Sequence, residues 1–186
     1  MNIRLAVSND VPALMEIICD AKSLLKESGS PQWNVDPYPN EETIINDINQ
    51  KQLFVISHFE KIIGMIVLAI GIDESYNEID GSWLTNSSNY LVIHRIALKK
   101  EYYHMGISKQ LMSFAISYAK SQKVDSIRVD THDLNKPMQG LLNKYDFSYC
   151  GKITLKRPKI DKIRLAYEKI IDWRCWSWRF YYILRI

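Results

Sequence analysis

Apolar positions recur along the chain with two spacings that alternate from segment to segment. Ile3, Leu5 and Val7 alternate with polar or small residues, which predicts a strand, and apolar residues three and four apart between positions 14 and 25 predict a helix. Further apolar runs predict strands at 53–56, 62–70, 90–98, 127–130, 147–153 and 163–168, and helical spacing predicts helices through 44–48, 107–118 and 137–144. Because strands and helices are interleaved, we expect an α/β (α+β) fold with a mixed sheet.

Two polar stretches and a tail interrupt this pattern. Residues 28–39 contain a helix-breaking Ser-Gly-Ser-Pro sequence, and residues 71–89 form a connection long enough to be functional or mobile. No repeat or low-complexity linker divides the chain, so we expect a single domain over residues 1–171. Residues 172–186 form an aromatic and basic tail with three interpretations: a segment exchanged within a homodimer, a membrane-surface segment, or a foreign segment. The first and third are favoured.

Composition excludes several classes of protein. Apolar residues make up 47% of the chain and charged residues 24%, which is typical of soluble globular proteins. No apolar run long enough to span a membrane precedes the tail, and the polar start is unlike a signal peptide, so we expect a cytoplasmic protein without a membrane partner. The chain has 24 basic and 21 acidic residues, and without the tail 21 and 20 remain. A nearly neutral body argues against nucleic-acid binding.

The three cysteines are too few and too scattered for a zinc cluster. Cys19, Cys150 and Cys175 are far apart in sequence, and their number is odd. We therefore expect buried thiols, no metal site, and no covalent mechanism through Cys150, which has no obvious activating partner.

The turn between the predicted strand 90–98 and the following helix has the chemistry of an anion site. The first N–H groups of a helix lack partners and lie at the positive end of its dipole. Gly106 allows a ligand to approach the backbone, and Ser108 keeps a neighbouring position small. A glycine that serves only the turn is the alternative.

Two spaced motifs extend this interpretation. Residues 94–98 (HRIAL) and 103–108 (YHMGIS) resemble the fourth strand and the Q/R-x-x-G-x-G/A loop of the GNAT superfamily of acyl-CoA N-acyltransferases. Residues 135–147 (NKPMQGLLNKYDF) resemble the family's N-x-x-A-x-x-L-Y-x-K-x-G-F stretch. Gln32-Trp33, the His-Arg pair at 94–95 and Asp130-Thr131-His132 further resemble a branch of small bacterial acetyltransferases, so the resemblance extends to about Glu168.

The resemblance implies a fold, a reaction and a cosubstrate. The expected sheet is mostly antiparallel, flanked by helices, and splayed between strands four and five to admit acetyl-CoA. The expected reaction is direct transfer of an acetyl group from acetyl-CoA to a primary amine of an unidentified acceptor in a ternary complex. The acetyl-CoA-binding residues implied are Ile96, Ala97, Leu98, Tyr103, His104, Met105, Gly106, Ile107, Ser108, Lys109 and Asn135, the last of which is equally a helix cap.

Departures from the family pattern leave a second function open. Tyr103 and Ser108 replace the usual loop residues, and Leu142 stands where the family has a tyrosine that protonates the leaving thiolate. Tyr145, three residues further on, is the substitute candidate for that acid. The alternative function is an acyl-CoA-binding sensor or interaction module with little or no catalysis.

Two histidines are candidates for the base that an amine acceptor requires, because an alkyl ammonium has a pKa of about 10. His94 is the first candidate, and a core histidine is its alternative. His132 is the second, with Asp130 two residues earlier on the same face of a strand, and a turn-stabilising role is its alternative.

Loop side chains are candidates for the acceptor side. An aromatic wall of Trp33, Tyr38, Tyr76 and Trp83 would hold an ammonium group by cation–π contact, although packing is the commoner role of such residues. Asp73 and Glu74 would attract a cationic acceptor or form a solvated loop.

Overall fold

The elements follow the predicted order with one addition. A computed structural model of the chain describes residues 1–34, 37–157 and 161–174. The strands are β1 (Asn2–Leu5), β2 (Leu53–His58), β3 (Lys61–Ile70), β4 (Ile79–Gly81), β5 (Tyr90–Leu98), β6 (Ser126–Thr131), β7 (Ser148–Thr154) and β8 (Ile163–Ile170). The helices are α1 (Val11–Glu27), α2 (Glu41–Asn49), α3 (Ile107–Ser121) and α4 (Lys136–Lys144).

The eight strands form one mixed sheet in the order β1-β2-β3-β5-β6-β8-β7-β4. Within the described ranges, β5 and β6 are the parallel pair, and the other neighbours are antiparallel. The predicted mixed, mostly antiparallel sheet is confirmed. The strands predicted as four and five are β5 and β6, because β4 lies inside the polar stretch 71–89, where the apolar pattern gives no sign of it.

The pairing of β5 with β6 ends halfway along β5. The register runs from Tyr90 opposite Ser126 to Ile93 opposite Val129. Beyond this point β5 stays paired with β3 as far as Leu98, and β6 stays paired with β8. The two halves of the sheet therefore diverge, which is the splay that the resemblance implies.

Helices cover both faces of the first half of the sheet. Leu53 and Val55 of β2 pack with α1 and α2, whereas Phe54 and Ile56 pack with α3 and α4. A strand covered on both faces reads as a continuous apolar run, which is why residues 53–56, 62–70 and 90–98 do not alternate.

The segment 71–89 is packed against the second half of the sheet. Gly81 of β4 and Gly151 of β7 face each other with φ of 141° and 140°. A Cβ on either residue would overlap the backbone of the opposite strand, so the approach of β4 requires both glycines.

A buried ion pair anchors the end of this segment. Glu168 of β8 is fully buried and accepts hydrogen bonds from Ser126 Oγ (2.6 Å), Arg128 Nε (3.0 Å) and Thr85 Oγ1 (2.8 Å). Burial acts to raise the pKa of Glu168, but these hydrogen bonds outweigh it and the pKa is lowered. The Arg128 guanidinium lies 4.0 Å from the Tyr90 ring centroid. The segment is thus fixed to the sheet through charged groups.

The expectation of buried thiols holds for one of the two cysteines that the structure describes. Cys150 is buried as expected, but Cys19 is exposed on α1, because the apolar face of that helix is turned away from it. Cys175 and the rest of residues 175–186 lie outside the described residues, as do the three interpretations of the tail. No helix of the described residues is long and apolar enough to cross a membrane.

Replacing Arg128 with methionine is expected to lower the free energy of unfolding by about 3 kcal/mol or more, because Glu168 stays buried without its counter-charge. Urea denaturation measures the loss. Lys61→Ala is the control, because it breaks an exposed ion pair with Glu101 (2.6 Å) that solvent screens. Equal losses in the two variants would contradict a dominant role for the buried pair.

Candidate active site

A cavity of about 300 Å³ lies where β5 and β6 diverge, and we call it the donor cavity. It is lined by Ile93, His94, Arg95, Ile96, Ala97 and Leu98 of β5, Tyr103, His104 and Ser108 of the turn, Val129, Asp130 and Thr131 of β6, Asn135, Pro137, Met138 and Leu141 around α4, and Ala21, Leu24, Leu25, Gln32 and Trp33. The two sequence motifs therefore meet around one cavity.

The free edge of β5 contributes backbone groups to this cavity. The N–H of Lys99 donates to the carbonyl of Ile63 at 2.9 Å. In an antiparallel pair every second residue bonds the same neighbour, so Ala97 directs its backbone groups to β3. The N–H and C=O groups of Ile96 and Leu98 point the other way, towards the donor cavity.

The turn before α3 has the conformation of an anion site. His104 and Gly106 both have positive φ, 62° and 78°. Within the described part of the chain, no backbone carbonyl accepts from the N–H groups of residues 104–108. A Cβ on Gly106 would meet only open space, so the turn is accessible. The Ile107 side chain is fully buried in the core, and Met105 is exposed.

Of four lysines near the turn, Lys109 and Lys144 have no compensating carboxylate among the described residues, whereas Lys99 and Lys100 do. Lys99 pairs with Glu16 at 2.7 Å, and Lys100 lies 3.8 Å from Glu27, so their charges are partly neutralised. Lys109 lies beside Lys144 and lowers the pKa of that ammonium group. Neither Lys109 nor Lys144 pairs with an acid among the described residues, so these two lysines leave an uncompensated positive charge near the start of α3.

Two hydroxyl groups at the donor cavity are buried without partners. Tyr103 Oη and Thr131 Oγ1 make no hydrogen bond within the described residues. Buried polar groups are normally paired, and an unpaired one is costly. Together with the free backbone groups of β5, these hydroxyls fit a ligand that carries polar groups along its length.

A second cavity of about 930 Å³ adjoins the first, and we call it the acceptor cavity. The two cavities share Gln32, Trp33, His94, Arg95 and Asp130. The remaining lining residues are Pro37, Tyr38, Asn40, Glu42, Thr43, Ile45, Asn46, Asp47, Asn49, Gln50, Gln52, Asp73, Ser75, Leu155, Lys156, Arg157 and Arg164. Two reactants held in the two cavities would meet at the shared residues.

The four candidate aromatic residues separate into two pairs. Trp33 and Tyr38 line the acceptor cavity. Tyr76 and Trp83 pack together with a centroid distance of 5.3 Å and belong to a core cluster with Tyr90. For this second pair the packing alternative is the one observed.

Burial has opposite effects on the two ionisable groups at the junction. Burial, followed by the nearby charge of Arg95, lowers the pKa of His94 to about 4, although Asp73 lies 3.8 Å away and acts in the other direction. Burial raises the pKa of Asp130, whose Oδ1 accepts a hydrogen bond from the Tyr76 hydroxyl at 2.8 Å. The imidazole is thus neutral at pH 7, and the carboxylate is more basic than usual.

A buried ion pair lines the acceptor cavity. Arg95 Nη2 donates to Asp47 Oδ1 at 2.7 Å, and Arg95 Nη1 donates to the Tyr38 hydroxyl. Because Asp47 belongs to α2, this contact fixes α2 and the preceding loop to β5. No local sequence pattern indicates this contact, since the two residues are 48 positions apart.

His132 and Tyr145 line neither cavity. His132 Nδ1 accepts from the Leu134 N–H, and Nε2 lies 3.1 Å from Asp161 Oδ1. The predicted contact of His132 with Asp130 does not form, because the strand ends at Thr131 and the chain turns. The Tyr145 hydroxyl donates to the Lys109 carbonyl at 2.8 Å.

Asn135 and Leu142, both in the motif at residues 135–147, differ in their surroundings. Asn135 meets both expectations in part, because its Oδ1 accepts from the Met138 N–H as a helix cap while the residue lines the donor cavity. Leu142, at the position of the family's tyrosine, is fully buried in the core between α3 and the sheet.

Comparison with known proteins gives one family. The model of the Acetyltransferase (GNAT) family matches residues 13–147. A GNAT-family acetyltransferase from Streptococcus agalactiae 2603 is 34% identical, with 92% of this chain and 95% of that chain covered and a TM-score of 0.82. No curated protein sequence matches the chain significantly.

More distant structures share the fold. A GNAT-family acetyltransferase from Listeria monocytogenes 4b F2365 is 20% identical, with 91% and 94% of the two chains covered and a TM-score of 0.69. The PaiA N-acetyltransferase of Thermoplasma acidophilum, in complex with coenzyme A, is 20% identical, with 91% and 98% covered and a TM-score of 0.65.

The low pKa of His94 predicts a pH-dependent part of the stability. Below the ordinary pKa of 6.5 the unfolded chain takes up a proton at His94, whereas the folded protein does not until about pH 4. Stability is therefore lost as the pH falls from 6.5 to 4, by at most about 3 kcal/mol from this group.

Urea denaturation at several pH values is expected to show a smaller loss over this range in His94→Gln than in the parent. His58→Gln, at an exposed position at the end of β2, is the control and should keep the parent's pH dependence. The same loss in His94→Gln and the parent would contradict a buried, neutral His94.

Proposed function

The chain belongs to the acetyltransferase (GNAT) family and is an acyltransferase, and on that premise we propose that it transfers an acetyl group from acetyl-CoA to a primary amine. The observation that carries the proposal is the junction of the donor and acceptor cavities at His94 and Asp130. An amine in one cavity can reach an acyl group in the other beside these two residues.

Acetyl-CoA fits the polar groups left free around the donor cavity. When bound, it supplies a thioester whose carbonyl carbon is the electrophile. The backbone groups of Ile96 and Leu98 would pair with the amides of its pantetheine arm, and the free N–H groups of residues 104–108 would hold the pyrophosphate. Lys109 and Lys144 would neutralise a further phosphate. Positioning and these donors supply most of the rate enhancement in such a site.

We assign the proton transfer to the two groups at the junction. The neutral His94 imidazole accepts a hydrogen bond from the incoming amine and orients it. Asp130 takes the proton, because it lines both cavities and burial raises the pKa of its carboxylate. His132 and Tyr145 take no part, since neither lines a cavity.

The surroundings of Cys150 support direct transfer without a covalent enzyme intermediate. Cys150 lines neither cavity, and burial raises the pKa of its thiol, which makes it a poor nucleophile. Leu142 supplies no proton to the departing thiolate, so water is the proton donor in this proposal.

Acetyl-CoA is expected to raise the melting temperature of the protein. A ligand at 100 times its Kd adds about 2.7 kcal/mol, whereas pantetheine and adenosine alone should give smaller shifts. The double variant Lys109→Ala/Lys144→Ala should require more acetyl-CoA for the same shift. Lys120→Ala/Lys152→Ala is the control, because it makes the same change of net charge at other positions. Lys120 is at the far end of α3, and Lys152 is on β7. A folded protein without any shift would contradict acetyl-CoA as the donor.

Thiol release from acetyl-CoA with a panel of amines tests the reaction itself. Asp130→Asn is expected to lower kcat by about 100-fold or more, the usual contribution of a general base. His94→Gln should raise KM for the amine more than it lowers kcat, while both variants keep the melting shift with acetyl-CoA. The reverse pattern would assign the base to His94. Binding without release for every amine would favour a sensor.

A further inference from the structure

The charges around the acceptor cavity are balanced rather than uniformly acidic. Asp47 and Arg95 neutralise each other at 2.7 Å. Among the residues that the structure describes, the other charged lining groups are three acids, Glu42, Asp73 and Asp130, and three bases, Lys156, Arg157 and Arg164. A polycationic acceptor would meet the positive groups of Arg157 and Arg164 in this cavity, whereas a molecule with both charges would find a partner for each.

The acidic groups lie beside the junction with the donor cavity. Asp73 Oδ2 is 3.8 Å from His94 Nδ1, and Asp130 lines both cavities. An ammonium group attracted to these carboxylates would therefore be held next to the site of transfer.

Arg164 offers a built site for an anion close to that position. It is buried, with 3% of its surface exposed, yet it lines the acceptor cavity. Its Nη1 carries every hydrogen bond that it makes within the described residues: to the Asp161 carbonyl (2.8 Å), the Ile163 carbonyl (2.7 Å) and Asp161 Oδ2 (3.3 Å). The remaining N–H groups of the guanidinium fork are left for a ligand, and a carboxylate matches their geometry.

A hydrogen-bond chain holds this guanidinium in place. Asp161 binds Arg164 through Oδ2 and His132 Nε2 through Oδ1 at 3.1 Å. His132 is thereby a positioning residue for Arg164. Arg157 is exposed at the same cavity and has no ion-pair partner in the part of the chain that the structure describes, whereas Lys156 is paired with Glu74.

We infer that the acceptor is a zwitterion, a free amino acid or short peptide whose ammonium group lies at Asp73, His94 and Asp130 and whose carboxylate binds Arg164. This inference rests on the proposed function and specifies its acceptor. The cavity of about 930 Å³ leaves room for a side chain or a second residue.

Matched pairs of amines test the inference with the full chain. Thiol release is measured with each of the common amino acids and a set of dipeptides, and with the corresponding carboxamides and decarboxylated amines. The best zwitterion is expected to exceed its own carboxamide and decarboxylated form in kcat/KM by about tenfold or more, because a charged hydrogen bond is lost in both. Equal or faster transfer to a neutral-ended amine or a polyamine would overturn the inference.

Variants then locate the carboxylate site. Arg164→Gln should lower kcat/KM for the zwitterion by about tenfold and leave that for its carboxamide unchanged. Arg157→Ala, at an exposed position, should act in the same direction more weakly and does not put folding at risk. Lys152→Ala, an exposed change outside the cavity, is the control. Equal losses for zwitterion and carboxamide in Arg164→Gln would overturn the assignment.

Failure of the inference differs from failure of the proposed function. Transfer to other amines with a normal melting shift on acetyl-CoA overturns only the zwitterionic acceptor. No thiol release with any amine overturns both.

Discussion

The parallel pairing of β5 and β6 ends at Ile93 and Val129, and the backbone groups beyond it must find other partners. Both strands stay in the sheet, because β3 holds the end of β5 and β8 holds the end of β6. An unpaired strand edge inside a protein is costly unless a ligand or water meets it. The donor cavity is the direct consequence, and the acceptor cavity opens from the same gap.

Burial at this gap sets the chemistry of the junction. Removing water penalises the charged form of every ionisable group, so the same burial lowers the pKa of His94 and raises that of Asp130. Arg95 adds to the effect on His94, and its own charge is held by Asp47 on α2. The arginine that fixes α2 over the sheet therefore also helps to keep the imidazole neutral. Arg95 thus contributes both to the position of α2 and to the low pKa of His94.

The departures from the family pattern differ in their consequences. Tyr103 and Ser108 still line the donor cavity, and the turn that they occupy keeps its left-handed glycine and free N–H groups. These two changes leave the backbone site intact, because backbone donors do not depend on side-chain identity. Leu142 is different, since its side chain fills the core and offers no proton. The position of the family's tyrosine therefore carries no proton donor in this chain.

The sequence by itself determined the order of the main elements along the chain. It also determined the buried runs that form β2, β3 and β5, the turn at Gly106, and the motifs around the donor cavity. These features are local, since periodicity, glycine conformation and spacing act over a few residues. Tertiary structure alone decided the short strand β4, the Arg95–Asp47 and Arg128–Glu168 ion pairs, and the position of Asp130 at the junction. It also placed His132 against Asp161 instead of Asp130. Each of these depends on residues tens of positions apart, and the direction of a side chain at the end of a strand depends on where the chain turns next, which no local pattern fixes.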